Sequence, residues 1–434
     1  MRRGCGVLAG FLAGLGWLLC LCGAPAAGAA DDLLTLYAQA YAADPQLAAA
    51  AAQRGAQDQA ALIARAALLP QWQLNASATR TPAYGTRNSS DSHQLTSSVS
   101  QIVLDLGRKR SWHAAQIGAS AEEARVRLAE QDLCARVARA YFGVLSAQAS
   151  LATAQINEEA FAAQAAQAQS RFAAGLSAQV DAEQARTYYE LSRGTTVQAF
   201  QTLAGARDAL SQVTGRTLAE LKPLRAELPE LSLAPLGVQG WIEQAERSHP
   251  LLQALALSLA SSEQRIAAAR AGHAPTLVLA LEGGRYNGAG SPTQLALRLN
   301  VPLFAGGATE SAVRQAAYLR DAQRAELETQ HRAVVREVQG QYQAVVSNLA
   351  LMDSSRAAVA ASTRALAATR TGQSLGTRSL TDLLLAIQTH TAAQNVHDQA
   401  RHSYTLARLL LHKAAGSLGE SELARINPWL QGES

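Results

Sequence analysis

Two hydrophobic patterns take turns along the chain, and each appears twice. From Gln71 the residues alternate in type, with Trp72, Leu74, Ala76 and Ala78 opposite Gln71, Gln73, Asn75, Ser77 and Thr79. A later stretch does so more cleanly: Leu295, Leu297, Leu299, Val301 and Leu303 oppose Gln294, Ala296, Arg298 and Asn300. A period of two predicts a strand with one apolar and one wet face. Partner strands are predicted over 95–103 and 277–281, giving hairpins at about 71–105 and 276–304 with polar loops at 81–93 and 285–293. Strands of roughly nine to eleven residues have the length that crosses a bilayer at a tilt. An ordinary soluble hairpin packed on a helix is the other reading.

Around the hairpins the pattern is helical. No proline occurs between Pro82 and Pro223 or between Pro302 and Pro428, and both runs are rich in Ala, Gln and Arg. Such residues lose little entropy in a helix, and no ring interrupts the ladder. Glycine corners are expected at Gly107 and at Gly306-Gly307, each followed by about 65 residues of helix, roughly 100 Å, up to Gly175 and Gly376. Glycine tolerates the left-handed conformation that ends a helix. Return helices then run from Asp181 to about Thr214 and from Asp382 to about Ala415. They are some thirty residues shorter than their partners. The helix before each hairpin, 31–69 in the first case with Pro45 in its first turn, fills that gap by stacking end to end. The segment 222–235 and the tail 417–434 read as irregular.

These landmarks repeat at a nearly fixed distance. Gly175 and Gly376 are 201 residues apart (376 − 175), as are Asp181 and Asp382, Tyr141 and Tyr342, and Gly215 and Gly416. The offset is 205 between Pro70 and Pro275 and 200 between Val103 and Leu303, so the length difference is absorbed at the hairpin. A period held through chemically different landmarks predicts internal duplication. The division is then 1–30 a signal peptide, 31–230 a first repeat and 231–434 a second.

The signal peptide follows from Arg2-Arg3, an apolar stretch from Val7 to Cys22, and small residues up to Ala30. Cys20 and Cys22 each follow a leucine, which disfavours acylation. Cys134 alone remains in the exported chain, so no internal disulfide forms. The formal charge falls from +4 to +2 once Arg2 and Arg3 are removed, too balanced for a nucleic-acid partner. No later segment is long and apolar enough for a transmembrane helix, an absence that does not exclude a β-barrel, whose spanning strands are short and alternating.

The ordered set Leu68-Leu-Pro-Gln71, Ser98-Val-Ser-Gln-Ile-Val-Leu-Asp105, Ala140-Tyr-Phe-Gly-Val-Leu145, Arg171-Phe-Ala-Ala-Gly-Leu176, Val301-Pro-Leu-Phe-Ala-Gly-Gly307 and Leu375-Gly-Thr-Arg378 with Asp382 resembles the TolC family of outer-membrane exit ducts over essentially the whole mature chain. The resemblance implies a mainly helical fold of duplicated long hairpins forming an α-barrel, plus four strands per chain in a twelve-stranded β-barrel. Four strands cannot close a barrel alone, and an open edge in lipid is not tolerated, so oligomerisation is required. The resemblance implies a homotrimer in outer-membrane lipid, reaching through the periplasm of a Gram-negative bacterium. It also implies passive export, in type I protein secretion or efflux, with a periplasmic adaptor (membrane fusion) protein and an inner-membrane ABC or proton-driven transporter.

At the tips, the resemblance implies adaptor docking on Gly175, Leu176, Ser177, Gly376, Thr377 and Arg378. Asp382 forms an acidic ring if it faces the axis, and Arg378 pairs with Asp181 to hold the entrance closed in this reading; helix capping is the other account of these charges. Leu385 and Gln373 stand where the best-known family member has an acidic residue and a tyrosine. An enzyme is disfavoured. Gly284–Gly290 resembles a phosphate loop, but Pro292 follows where a helix would have to start. His390, His397 and His402 hint at metal, but His390 and His397 share a helix face roughly 10 Å apart along the axis, too far for one ion, and no metal or cofactor is expected. A periplasmic coiled-coil scaffold or adhesin is the alternative function; it accounts for the helices but not for the strand pairs.

Overall fold

Proline and its preceding residue set the first joint. In the computed structural model, which describes residues 31–82, 90–216, 220–225, 227, 228, 237–286 and 292–430, the expected 31–69 helix is two helices. They are α1 (Leu33–Ala43) and α2 (Pro45–Ala66). Asp44 takes an extended conformation before Pro45 and accepts from Leu47 N at 2.8 Å, capping α2. The signal peptide, the hairpin loops at 83–89 and 287–291, and most of 226–236 lie outside the described residues.

Three of the four strands are longer than their alternation predicts. β1 (Gln71–Thr81) and β2 (Ser90–Leu104) pair antiparallel, as do β3 (Thr276–Tyr286) and β4 (Thr293–Asn300). β2 also pairs with β3, so the sheet runs β1-β2-β3-β4. Trp72 lies opposite Val99, Val99 opposite Leu281, and Leu281 opposite Leu295, an apolar row across all four strands. Val301 and Leu303 are a correction: β4 stops at Asn300, because Pro302 has no N–H for the ladder.

The long helices are α3 (Leu106–Ala173, 68 residues) and α7 (Ala308–Ser374, 67 residues), returning as α4 (Gln179–Thr214) and α8 (Leu380–Ala414). Gly306 and Gly307 make the expected corner, both at positive φ. Gly107 does not. It lies inside the first turn of α3, whose cap is Asp105 accepting from Arg108 N at 2.9 Å. A side-chain cap does there what two left-handed glycines do in the other half.

Helices α5 (Val238–Ser248) and α6 (Pro250–Arg270) precede the second hairpin, joined at His249. A Cβ on Gly215 would lie 3.3 Å from Ala43 Cβ, and one on Gly416 only 2.5 Å from His249 Cα. Each return helix therefore abuts the joint ahead of it, end to end as its length predicts. α3 packs against α2, α4, α6 and α8, and α7 against α6 and α8. That arrangement leaves α2 and α4 along one border of the helical layer and α7 along the other.

The largest core lies at this waist, where Leu33, Leu36, Tyr141, Phe142 and Leu409 are buried together and Tyr141 Oη donates to Lys222 O at 2.7 Å. The tail from Ser417 is a second correction. It forms α9 (Glu420–Ile426) and a 3-10 turn (Asn427–Trp429), because Leu423, Ile426, Trp429 and Leu430 come to one face and bury in that core. No helix among the described residues is long and apolar enough to cross a membrane.

Candidate functional site

Two features have unmet contacts: the tips at one end of the long helices and the sheet at the other. At the first tip, Gly175 (φ 70°) donates to Phe172 O and Leu176 N donates to Arg171 O, a Schellman closure that uses up the last carbonyls of α3. The second tip repeats it, with Gly376 (φ 77°) donating to Gln373 O and Thr377 N to Gly372 O. In both cases a glycine turns the chain because L side chains resist positive φ.

The helix starts beyond the tips differ. Ala178 precedes α4 with no side-chain cap, so Asp181 in the first turn meets the positive helix end alone. Ser379 precedes α8 in a full capping box: Asp382 N donates to Ser379 Oγ at 3.1 Å, and Ser379 N to Asp382 Oδ2 at 3.0 Å. The Ser379 backbone N–H, then its hydroxyl, hold the exposed Asp382 carboxyl below the usual carboxylate range, and Arg378 adds to this. Asp382 thus has a capping role within its own chain.

Arg378 and Asp181 line one cleft of about 230 Å³ between the tips, with Gln164, Arg171, Ser177 and Gln373, but they form no ion pair. The expected Arg378–Asp181 contact is therefore absent within the chain. The Arg378 stem lies over Gly372, where a Cβ would meet Arg378 Cγ at 2.7 Å. Arg171 is the residue that the expected site leaves out. It stands 201 positions before Gly372, and Ser177 stands 201 before Arg378, so each tip contributes one arginine to the cleft from a different turn of the motif. That exchange is visible once the halves are aligned.

Beneath the cleft, Phe161, Leu366, Leu383 and Leu384 form a buried core, and Thr381 Oγ1 donates to Gln184 Oε1 at 3.0 Å, tying α8 to α4. At the surface, Leu176 and Leu375 are 70 % and 73 % exposed, and the buried Ser177 Oγ and Gln164 Oε1 have no hydrogen-bond partner. Exposed apolar side chains beside unsatisfied polar atoms suit a docking surface.

At the far end the sheet has two free edges, β1 and β4, and its apolar face is uncovered: Trp72 is 77 % exposed and Leu295 69 %. Trp72 Nε1 donates to Ser97 Oγ at 2.8 Å, which satisfies two polar groups on that face. The histidines lie elsewhere. His390 Nδ1 meets Ser362 Oγ and His397 Nδ1 meets Ser355 Oγ, both at 3.1 Å, while burial pushes His402 down to about 4.

The family model described as outer membrane efflux protein matches residues 36–216 and 241–417. The chain is 30 % identical over 429 residues to outer membrane protein TolC of Escherichia coli (strain K12), covering 94 % of this chain and 87 % of that one. It is 28 % identical to the proteases secretion protein PrtF of Dickeya chrysanthemi, covering 93 % and 92 %. Its fold matches the open state of the Neisseria gonorrhoeae MtrE outer membrane channel with a TM-score of 0.76 at 22 % identity, over 90 % of each chain.

Proposed function

The chain belongs to the outer membrane efflux protein family, and on that premise we propose how its sheet and its tips are used. It is an outer-membrane export channel of the efflux and type I secretion kind, not an enzyme. The proposal concerns its assembly and its partners.

Three copies close one pore. β4 of one copy pairs with β1 of the next to give a twelve-stranded barrel, which removes both free edges from lipid. The α7 border meets α2 and α4 of the neighbour, covering exposed Tyr318 and Leu319 on one side and Leu62, Ile63 and Phe200 on the other. The observation that carries this reading is the four-stranded sheet, unpaired at both edges and apolar on an uncovered face.

The tips are the periplasmic entrance. A periplasmic adaptor docks on Gly175, Leu176, Ser177, Gly376, Thr377 and Arg378, supported by the exposed leucines and unpartnered polar atoms there. The adaptor links the duct to an energised inner-membrane transporter; the likeness to a protease secretion protein favours an ABC transporter and protein cargo. Asp181, Arg378 and Asp382 restrict the entrance between copies, since Arg378 and Asp181 share a cleft without neutralising each other in one chain. Planar-bilayer recording tests this. The wild-type pore is expected to be narrow, Arg378→Ser to raise its conductance, and an unchanged closed channel in the variant would remove the gate.

A further inference from the structure

Four helix ends gather directly below the sheet. Gln101 Nε2 donates to Leu68 O at 2.9 Å and Arg108 Nη1 to Ala67 O at 3.1 Å, which sets the end of α2 beside the start of α3. A Cβ on Gly107 would lie 3.6 Å from Ala268 O, so the end of α6 is there too. One on Gly272 would reach Thr309 Cγ2 at 2.9 Å, which adds the start of α7.

The charge on this collar is one-sided. Arg65, Lys109, Arg110 and Arg270 are exposed, and none is in an ion pair among the described residues. The neighbouring carboxylates are already engaged, Asp105 with Arg108 and Glu310 with Arg314. Arg65 and Arg270 close their helices, where cations suit the negative end. Lys109 and Arg110 do the reverse: with Arg108 they put three consecutive cations at the positive end of α3, against its dipole. A locally unfavourable run of charge points to an anion outside the helix.

The collar also has an apolar neighbour. Leu303 and Phe304, 93 % and 90 % exposed, follow β4 at the same level as the sheet base. An 11-residue strand such as β1, at ~3.3 Å per residue and a tilt of ~40°, covers about 28 Å of depth, close to the apolar band of a spanning barrel. Side chains one turn below that band stand at headgroup level.

We propose that this collar binds anionic phospholipid headgroups of the periplasmic leaflet and fixes the depth of the barrel. The site is continuous with the lipid-facing sheet, which singles out a lipid as the occupant, and it rests on the reading that the sheet spans the outer membrane. Lys109 and Arg110 carry the selectivity; Leu303 and Phe304 enter the acyl boundary above them.

The test is native mass spectrometry of the detergent-solubilised complex offered phosphatidylglycerol and phosphatidylcholine in equal amounts, with vesicle insertion measured in parallel. Wild type is expected to retain phosphatidylglycerol at least about tenfold over phosphatidylcholine, since each cation near a charged headgroup is worth about fivefold. Lys109→Gln with Arg110→Gln loses most of that preference, and Arg364→Gln with Arg370→Gln, far down α7, keeps it. Equal retention of both lipids by wild type that inserts into vesicles overturns the collar alone, as does an unchanged preference in the Lys109/Arg110 variant. Failure of wild type to insert overturns the spanning sheet and the collar with it.

Discussion

The two joints of the waist occupy matching places and are held by different chemistry. At the first, Asp44 caps α2 and takes a bidentate pair from Arg136 of α3, at 3.0 and 2.8 Å. At the second, His249 caps α6 by accepting from Leu251 N through Nδ1 at 3.2 Å, and Glu337 on α7 stands where Arg136 stands on α3. The signs are exchanged: anion and arginine in one half, imidazole and carboxylate in the other. A carboxylate keeps its cap to low pH, whereas an imidazole cap accepts only while neutral. The same end-to-end junction is therefore acid-tolerant in one half and acid-sensitive in the other.

The sharpest way to break the comparison is to crowd each junction. Gly416 is at φ 71° with His249 Cα in the way, so Gly416→Ala is expected to cost on the order of 4 kcal/mol. Gly215, at φ 73° and facing only Ala43 Cβ, is expected to cost ~1–2 kcal/mol on the same change. Denaturant midpoints of the detergent-solubilised variants give both values, and equal losses would contradict the asymmetry. Removing Arg136 comes next. Asp44 is buried, and Arg136→Met strands its charge at a cost of about 3 kcal/mol, largely recovered by adding Asp44→Asn.

Acid separates the joints more gently. Burial holds the His249 pKa below its ordinary value of about 6.5, so its contribution is complete above that pH and is lost as pH falls through the lower folded value. The Arg136 hydrogen bonds hold Asp44 below the usual carboxylate range, so the first joint's contribution is complete above about pH 3.9 and is lost as pH falls through the lower folded value. Hydrogen-exchange protection, taken relative to the unstructured-chain rate at each pH, is expected to fall from pH 7.5 to pH 5 at the start of α6 and not at the start of α2. His249→Asn, a cap that does not titrate, removes the difference. Glu337, Lys413 and Asp132 also face His249, and Lys413 is paired with Asp132 at 2.7 Å.

The tips give the smallest effect. Ser379→Ala removes the capping box of α8 at about 1 kcal/mol, whereas Ala178→Ser adds a cap that α4 lacks and gains about half that. Melting of the purified protein measures both. A null result for Ala178→Ser would mean that Asp181 already satisfies the helix start.

Much of this was legible in the sequence because period and punctuation are local. Alternation placed four strands, and Gly175 and Gly376 placed the tips. What was missed depends on partners distant in sequence or on a single competing residue. Pro302 cut short a strand whose alternation continued, and Asp105 took over a corner assigned to Gly107. The tail looked irregular because its apolar residues bury beside α1 and α8, and α1 is encoded at the other end of the chain. Arg171 escaped the site because its place beside Arg378 comes from packing between hairpins.

The central claim is that a sheet with two free edges is completed by other copies of the same chain. Native mass measurement of the detergent-solubilised complex tests it most directly. Three chains per particle, conducting in planar bilayers, is the predicted result; a monomer that conducts would contradict the account.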